Sequence, residues 1–483
     1  MCEMIDKDFS KRVLDDLNMH RLGPLNVSFK SFPDKNHASI FNLADNIFKL
    51  KFKKRFVEDN LKKYINNPPE FLRAEEDFYI FNGDELEKLG LALYPYLSCG
   101  LLNGGSATSY VDILKNSDFN KELYLLYENK ILEAKKIFKD LPKGITPAYI
   151  NKDGSYGFSF LALKIRHLLM LSKRYMDSYS VSVKPSIFQM TSFKTDPFIS
   201  KFLDNIFDEE LIKSLNCCSF RREDILTAIQ PLVHCYKKLN NGQYVYFDYD
   251  NKGEKTILAL PAGHGQNFRV LRDIYLKLYE LGKRFVYIGN IDNIGFTVNL
   301  KALAIMAITN SSSGFEFSVK TALDTKGGVL IVDKDDNLTC VDIGGAISKE
   351  CVQKFEYRGD KILFNCATGL FNLEYLVKNI DRIIEEMPSR VLEQNKEIGK
   401  YFSIEQITWE VIKLVNNPLI FEVNRRDRFL PAKLFSDMLV NSGYLKDRLP
   451  FNIFYVADCL NSSLNNLLKN DYGLVFKDEK WNI

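Results

Sequence analysis

The parts of this sequence equipped for chemistry are three turns rich in glycine and side-chain amides, and a few lysines suited to anionic oxygen. The first turn, NGGSATSY at 103–110, directly follows a short apolar run. Its paired glycines let the backbone approach a planar base or a phosphate, with exposed N–H groups as donors. It has neither the GxGxxG of a dinucleotide fold nor the GxxxxGK[ST] of a P-loop, and alone it fits a simple turn equally well. The second, PAGHGQNF at 261–268, sets His264 between Gly263 and Gly265, which frees the local backbone and lets the ring face a ligand. The third, IGNIDNIG at 288–295, ends an apolar run in a carboxylate and two amides. There Asp292 is suited to Mg²⁺, a hard cation held by one or two carboxylates plus substrate phosphates; an Asx-rich turn is the plainer alternative. Lys326 in DTKGG and Lys433 in RFLPAK each offer a compact ammonium for phosphate oxygens, or an ordinary solvated surface charge.

The elements that must position these turns are short apolar runs at 101–102, 181–190, 257–260, 285–288, 329–332 and 362–364. Each ends in a small polar or glycine-containing turn and leads into a longer, more polar helical stretch. That alternation predicts βαβ units, hence an α/β fold with a mixed, mostly parallel sheet flanked by helices on both faces. Ligands of such sheets sit at the carboxyl ends of the strands, where the polar turns fall. Upstream, Ile47, Phe48, Leu50, Phe52, Phe56, Val57 and Leu61 recur at three- and four-residue spacings and predict a helix, stopped at Pro68 and Pro69. The expected organisation is a helical N-terminal region at 1–90, a catalytic domain at 91–445 and a short C-terminal region at 446–483.

Composition narrows the partners. Of 483 residues, 65 Lys and Arg balance 62 Asp and Glu, which gives no global drive toward nucleic acid or a membrane surface. The basic run at 49–55 reads as a solvated face. Nine cysteines include no CxxC pair, and the charged N-terminus does not resemble a signal peptide, so a cytoplasmic location is expected. No zinc-type cluster is present, and His20, His37, His167 and His234 read as surface or satisfied core residues.

The order of the motifs is more specific than any one of them. A Gly-Gly turn, Met190-Thr-Ser, GHG, NxDN, DxKGG, Phe364-Asn365 and FLPAK, running from about Leu101 to Leu439, resemble the UDP-sugar pyrophosphorylase family. That family comprises UTP–glucose-1-phosphate uridylyltransferases and UDP-N-acetylhexosamine pyrophosphorylases. The resemblance implies a Rossmann-like nucleotide-diphospho-sugar transferase fold of the GT-A type. It also implies Mg²⁺-dependent conversion of UTP and a hexose-1-phosphate, with glucose-1-phosphate expected, to a UDP-sugar and pyrophosphate. The alternatives are a UDP-N-acetylglucosamine pyrophosphorylase or a non-catalytic nucleotide-sugar-binding relative.

By the same resemblance, Gly104 and Gly105 hold uracil and ribose, and Met190 and Gln230 lie beside the base. Gly263 and His264 stand near base and sugar, Asn290 and Asp292 form the strand end that carries the metal, and Asn365 belongs to the hexose-binding turn. Lys115, Lys326 and Lys433 are the expected catalytic charges, Lys115 as the lysine that closes the first loop. The sequence departs from the family pattern at Ala107, where GGxGT has glycine, at Leu114-Lys115 in place of Pro-Lys, and at Gln266 after GHG, where an acidic residue is frequent. Alanine fits at 107 provided that φ there is negative. The few residues after FLPAK leave too little chain for the β-helix appended to many glucose-specific relatives.

Overall fold

The computed structural model describes every residue except 1–3, 23–27, 35, 46–47, 66–70 and 323. Its centre is a mixed sheet, eight of whose strands form one path: β1 (Ile40–Asn42), β2 (Leu97–Leu102), β3 (Ile187–Ser192), β4 (Ile225–Gln230), β5 (Phe285–Asn290), β6 (Ser313–Val319), β7 (Leu363–Asn372) and β8 (Leu419–Glu422). In space the order is β1-β8-β6-β7-β5-β2-β3-β4. Only β7 runs against its neighbours, so the block β5-β2-β3-β4 is wholly parallel. A hairpin of Gly328–Asp333 and Leu338–Asp342 joins the sheet beside β7.

The strands are apolar because both faces are covered. In β5, Phe285 and Tyr287 enter one hydrophobic cluster while Val286 and Ile288 enter the other, the period of two that a doubly covered strand requires. Helix Leu300–Thr309 is buried nearly all round, consistent with its run of Leu, Ala and Ile. Helix Leu373–Glu386 on the opposite face is amphipathic and buries Leu373, Leu376, Ile380 and Ile383. No described helix is long and apolar enough to cross a membrane.

Register brings the polar turns together. Leu102 pairs with both Asn290 and Met190, and Ser192 pairs with Gln230, so β2, β3, β4 and β5 end along one edge. The turns that directly follow these residues are delivered to that edge.

The N-terminal reading needs correction. The stretch expected to be helical through Leu61 is a strand, Leu50–Lys53, followed by a short helix, Lys54–Leu61. Leu50 and Phe52 alternate with exposed Lys51 and Lys53 and pair antiparallel with Phe78–Phe81, so the operative period is two rather than 3.6. Pro68 and Pro69 lie outside the described residues. Strands from this region also enter the main sheet, as β1 does beside β8. The run at 181–190 yields a strand only from Ile187; Pro185, which has no N–H to give to a ladder, lies just before it. The run at 257–260 yields only the two-residue strand Ala259–Leu260.

Helix Gly83–Ala92 packs closely against the start of helix Leu300–Thr309. A Cβ added at Gly90, in helix Gly83–Ala92, would stand 2.0 Å from the Leu300 carbonyl oxygen. Helix propensity favours alanine by about 1 kcal/mol, but forced separation of two packed helices costs about 1–3 kcal/mol. Gly90→Ala should therefore lower the thermal midpoint; a midpoint at or above that of the wild type would show that the two helices part freely.

Candidate active site

Strand β2 ends at Leu102, and Asn103 then turns inward, fully buried, its N–H donating to Met190 O at 2.9 Å and its amide to Gln189 Oε1 at 3.0 Å. This anchors the Gly-Gly turn to β3. A Cβ at Gly105 would meet no protein atom within 4 Å, so the space beside it belongs to the cavity. Ala107 has no positive φ, and its N–H donates to Leu141 O at 2.9 Å, so alanine satisfies this position. The chain then leaves the site through helices Ile113–Phe119 and Lys121–Phe138 and returns at Lys143, whose N–H donates to Gly105 O at 3.0 Å.

Lys143 is the residue that sequence reasoning missed. Its Nζ lies 2.9 Å from Asp292 Oδ2 and also donates to the carbonyl of Ala432. Lys433 Nζ reaches the same carboxylate oxygen at 3.1 Å. The two ammoniums differ in setting: the Lys143 side chain is 10% exposed and that of Lys433 61%. Burial alone would raise the Asp292 carboxyl, but Lys143 and Lys433 outweigh it and hold the group well below the usual carboxylate range. Burial draws the Lys143 ammonium below its ordinary value, with Asp292 acting in the opposite direction. Asp292 Oδ1 is buried with no hydrogen-bond partner among the described residues.

The turn that carries Asp292 is held from three sides. Asn293 Oδ1 accepts from Leu430 N at 2.9 Å and its Nδ2 donates to Arg428 O at 2.9 Å, tying NIDN to the FLPAK segment. Ala432 N donates to Asp292 O at 3.0 Å. Beneath, the buried ammonium of Lys164 donates to the carbonyls of Asn293, Ile294 and Phe296 at 2.8, 3.1 and 2.7 Å and contacts Tyr472 Oη at 2.9 Å. Burial pushes Lys164 down to about 7. Lys433 itself precedes helix Phe435–Ser442, where Asp437 Oδ2 accepts from Lys433 N and Leu434 N. Asn116, fully buried, accepts from Ser436 N and Oγ and donates to Tyr110 O and Asp112 O, so the first loop and the Lys433 segment are clasped together.

These parts enclose a cavity of about 480 Å³ lined by Gly104, Gly105, Lys143, Met190, Gln230, Gly263, His264, Asn290 and Asp292. Its remaining wall is the hairpin Arg390–Lys396/Gly399–Glu405, which supplies Leu392, Gln394, Ser403 and Glu405 and carried no signal in the motif reading. Arg390 fastens that hairpin by bridging Asp342 and Glu410. Gly263, at φ 82°, lies where a side chain is strained, and a Cβ there would meet Gln406 O at 2.4 Å. Gly265 is required for a different reason: its N–H donates to Gln406 O at 2.8 Å, and a Cβ would stand 2.6 Å from the Gln406 carbonyl carbon.

His264 Nδ1 faces Thr408, with Oγ1 at 2.7 Å and the backbone N–H beside it. Thr408 N–H, which can only donate, points at Nδ1 at 3.2 Å, which favours the tautomer with the proton on Nε2. Burial, with Lys433 nearby, lowers the ring to about 4. On β4, Gln230 Nε2 donates to Gly263 O at 2.7 Å, which leaves the acceptor Oε1 as the end available to a ligand.

Three expected residues lie off this cavity. Lys115 is exposed on helix Ile113–Phe119, and its Nζ is spent on Ser109 Oγ at 2.9 Å. The structure therefore corrects the reading of Lys115 as the lysine that closes the first loop; the backbone closes at Lys143 instead. Lys326 is exposed beyond Asp324, which is buried and paired with Arg425 at 2.7 Å. Asn365 sits in a bulge of β7, its Nδ2 on Cys340 Sγ at 3.3 Å and its Oδ1 accepting from Ala367 N at 2.5 Å.

Residues 147–447 match the family model of UTP–glucose-1-phosphate uridylyltransferase, which covers more than half of the chain. The chain belongs to this family. A probable UTP–glucose-1-phosphate uridylyltransferase of Schizosaccharomyces pombe is 28% identical over 291 residues, 59% of this chain and 52% of the relative. That of Hordeum vulgare is 26% identical over 292 residues, 59% and 55% respectively. The chain thus spans about half the length of the curated relatives it matches. The fold is that of the UDP-N-acetylglucosamine pyrophosphorylase of Trypanosoma brucei, with a TM-score of 0.58 at 15% identity, covering 97% of this chain and 81% of that one. It is also that of a mutant UDP-glucose pyrophosphorylase from Leishmania major, with a TM-score of 0.51 at 18% identity, covering 72% and 66%.

The state of His264 has a consequence for stability. The unfolded ring titrates near 6.5 and the folded one near 4, so below pH 6.5 the unfolded chain binds a proton that the folded chain refuses. Stability is unaffected above 6.5 and falls by about 1.4 kcal/mol per pH unit down to about 4. In urea unfolding, the stability difference between wild type and His264→Gln should shrink across that window by about 3 kcal/mol. A constant difference would show that the ring titrates normally.

Proposed function

We propose that this chain transfers a uridylyl group from UTP to a hexose-1-phosphate, with glucose-1-phosphate as the acceptor, and releases pyrophosphate. The observation that carries this reading is the meeting of two ammoniums on the Asp292 carboxylate at the carboxyl edge of the sheet, beside a cavity walled by the Gly-Gly turn, Met190, Gln230 and His264. Membership of the uridylyltransferase family supports the reaction, and the glucose-1-phosphate activity of the curated relatives supports the acceptor.

The cavity suits a uracil nucleotide. Gly104 and Gly105 leave room for a base to lie against the backbone, and Met190 offers it an apolar surface. Gln230 Oε1 would accept from uracil N3–H, whereas N3 of cytosine is itself an acceptor and would leave both oxygen and nitrogen unsatisfied. His264 Nε2–H and Asn290 provide donors for ribose, sugar or phosphate oxygens.

Transfer requires the acceptor phosphate oxygen to attack the α-phosphorus in line with departing pyrophosphate. Little covalent help is needed from the protein, and positioning with charge neutralisation does most of it. Lys433, exposed and adjacent to Asp292, can follow developing charge on the phosphates; Lys143 flanks it from the buried side. Asp292 fits a Mg²⁺ ion, because its Oδ1 is buried with no hydrogen-bond partner among the described residues. When bound there the ion would neutralise phosphate charge beside Oδ1. Lys115, Lys326 and Asn365, off the cavity, take no part in this proposal.

The direct test is pyrophosphate release from UTP with a panel of hexose-1-phosphates. Release with none of them would overturn the proposal, and a preference for N-acetylglucosamine-1-phosphate would move the acceptor assignment. Lys433→Ala should depress the turnover number about a hundredfold with little change in the Michaelis constant for UTP, as expected for a contact that strengthens in the transition state. Arginine at 433 should not restore the rate, since its planar fork does not reproduce a compact ammonium. A rise in the Michaelis constant alone would make Lys433 a ground-state binding residue. Base selectivity offers a separate check: CTP should compete with UTP at least about tenfold more weakly in a binding titration, and equal competition would rule out the role of Gln230.

A further inference from the structure

We propose that Lys164 and Tyr472 are positioning residues for the transfer: together they fix the backbone of the turn 293–298, and through it the place of the Asp292 carboxylate. The effect on turnover rests on the uridylyl-transfer reading; the hold on the turn does not.

Lys164 is buried on helix Phe160–Tyr179, and its ammonium is directed at the turn. It has three N–H groups to give, and four oxygens stand within 3.1 Å of it. Tyr472 resolves the excess, because its hydroxyl accepts from Lys164 and donates to Ile294 O. Asn293 O, Phe296 O and Tyr472 Oη then take one N–H each, while Ile294 O is supplied by the hydroxyl. Burying an ammonium carries a desolvation penalty that an apolar side chain would avoid. What the charge adds is direction, since it draws three carbonyls of one turn to a single point.

The far end of the turn is held by the same two elements. His167 Nε2 accepts from Val298 N at 3.0 Å, and Asp471 Oδ1 accepts from Thr297 Oγ1 at 2.9 Å. Tyr472 is fixed in turn by Arg166, whose Nε donates to Tyr472 O at 2.6 Å. Asp471 and Tyr472 lie beyond residues 147–447, so the family match does not contain them. Asp292 directly precedes the first anchored carbonyl, and its carboxylate must meet ammoniums from two other parts of the chain at 2.9 and 3.1 Å. A misplacement of about 1 Å in such a constellation can cost about a hundredfold in rate. None of the four partners of Lys164 lines the cavity, so the pocket formed by the Gly-Gly turn, Met190 and Gln230 does not depend on it directly.

The test compares wild type with Lys164→Met and Tyr472→Phe. Methionine keeps an apolar stem without the ammonium, and phenylalanine removes only the hydroxyl. Amide hydrogen exchange is read first, on free protein. In both variants the segment 291–298 should exchange at least about tenfold faster, while strand Ser313–Val319 keeps its rate. Unchanged exchange at 291–298, or equal acceleration of the two segments, would overturn the proposal. Pyrophosphate release is then measured per UMP-binding site, which counts folded chains. The turnover number should fall at least about tenfold in Lys164→Met, with the affinity for UMP unchanged. A turnover number per site equal to that of wild type would overturn the positioning role. The double variant should be no slower than Lys164→Met, because both side chains act through one turn; losses that multiply would overturn the shared role. Should Lys164→Met fail to fold, Tyr472→Phe carries both readings. Wild type that releases no pyrophosphate ends the uridylyl-transfer reading, and the exchange comparison then decides the hold on the turn by itself.

Discussion

A carboxylate that is ionised and enclosed by protein must be matched by opposite charge, by hydrogen bonds or by a metal, because the cost of burying it alone is several kcal/mol. Asp292 meets that condition with two lysines from distant parts of the chain, and much of the surrounding architecture serves to keep all three in place. Lys143 is delivered by the return of an excursion from the glycine turn, and Lys433 by the segment that Asn293 binds to the Asp292 turn. Asn116 joins the two deliveries, since its amide spans from the first loop to Ser436. From below, Lys164 fixes three consecutive or near-consecutive carbonyls of the turn, with Tyr472 from the C-terminal part of the chain as its fourth partner. Regions that looked separable in sequence therefore meet under a single side chain.

The parallel block of the sheet was legible because buried strands there write themselves as short apolar runs ending in polar turns. Glycine and amide chemistry at those ends could be read at once, and Gly104, Gly105, Met190, Gln230, Gly263, His264, Asn290, Asp292 and Lys433 come together on one cavity or its rim. What could not be read is what the chain brings back from elsewhere. Lys143 follows Pro142, the Pro-Lys step of the family pattern, but so far along the chain from the glycine turn that only the pairing of its backbone with Gly105 reveals it. The hairpin Arg390–Lys396/Gly399–Glu405 alternates polar and apolar residues like any half-exposed ribbon, and nothing in that pattern says that its inner face closes a cavity.

Two departures from the family pattern have local explanations. Alanine at 107 occupies ordinary backbone and is packed away from the cavity, so the loss of a glycine there leaves the turn at Gly104 and Gly105 intact. Gln266 is buried and bonded to Gln406, whose backbone also brackets both glycines of GHG. The neutral amide pair does the fastening, so no charge need be buried at that point. The glycines of GHG thus serve the fit of one loop on another, and His264 faces the cavity as a result of that fit.

The excursion between Ser106 and Pro142 shows why Lys115, close to the glycine turn in sequence, lies off the cavity that Gly105 lines. Lengthening a loop whose ends remain joined adds little closure entropy, and here the ends are joined by the Ser106–Pro142 bridge and the Ala107 to Leu141 hydrogen bond. The two helices in between are fastened outside the cavity, by Asn116 on Ser436 and by Tyr127 on the Tyr444 carbonyl. Sequence distance from the glycine turn consequently loses its connection with spatial distance, and a lysine near the turn in sequence, Lys115, ends on the surface. The geometry that an ammonium needs, a short reach from Gly105 to Asp292, is met by whichever residue lies where the chain returns. For this protein that residue is Lys143.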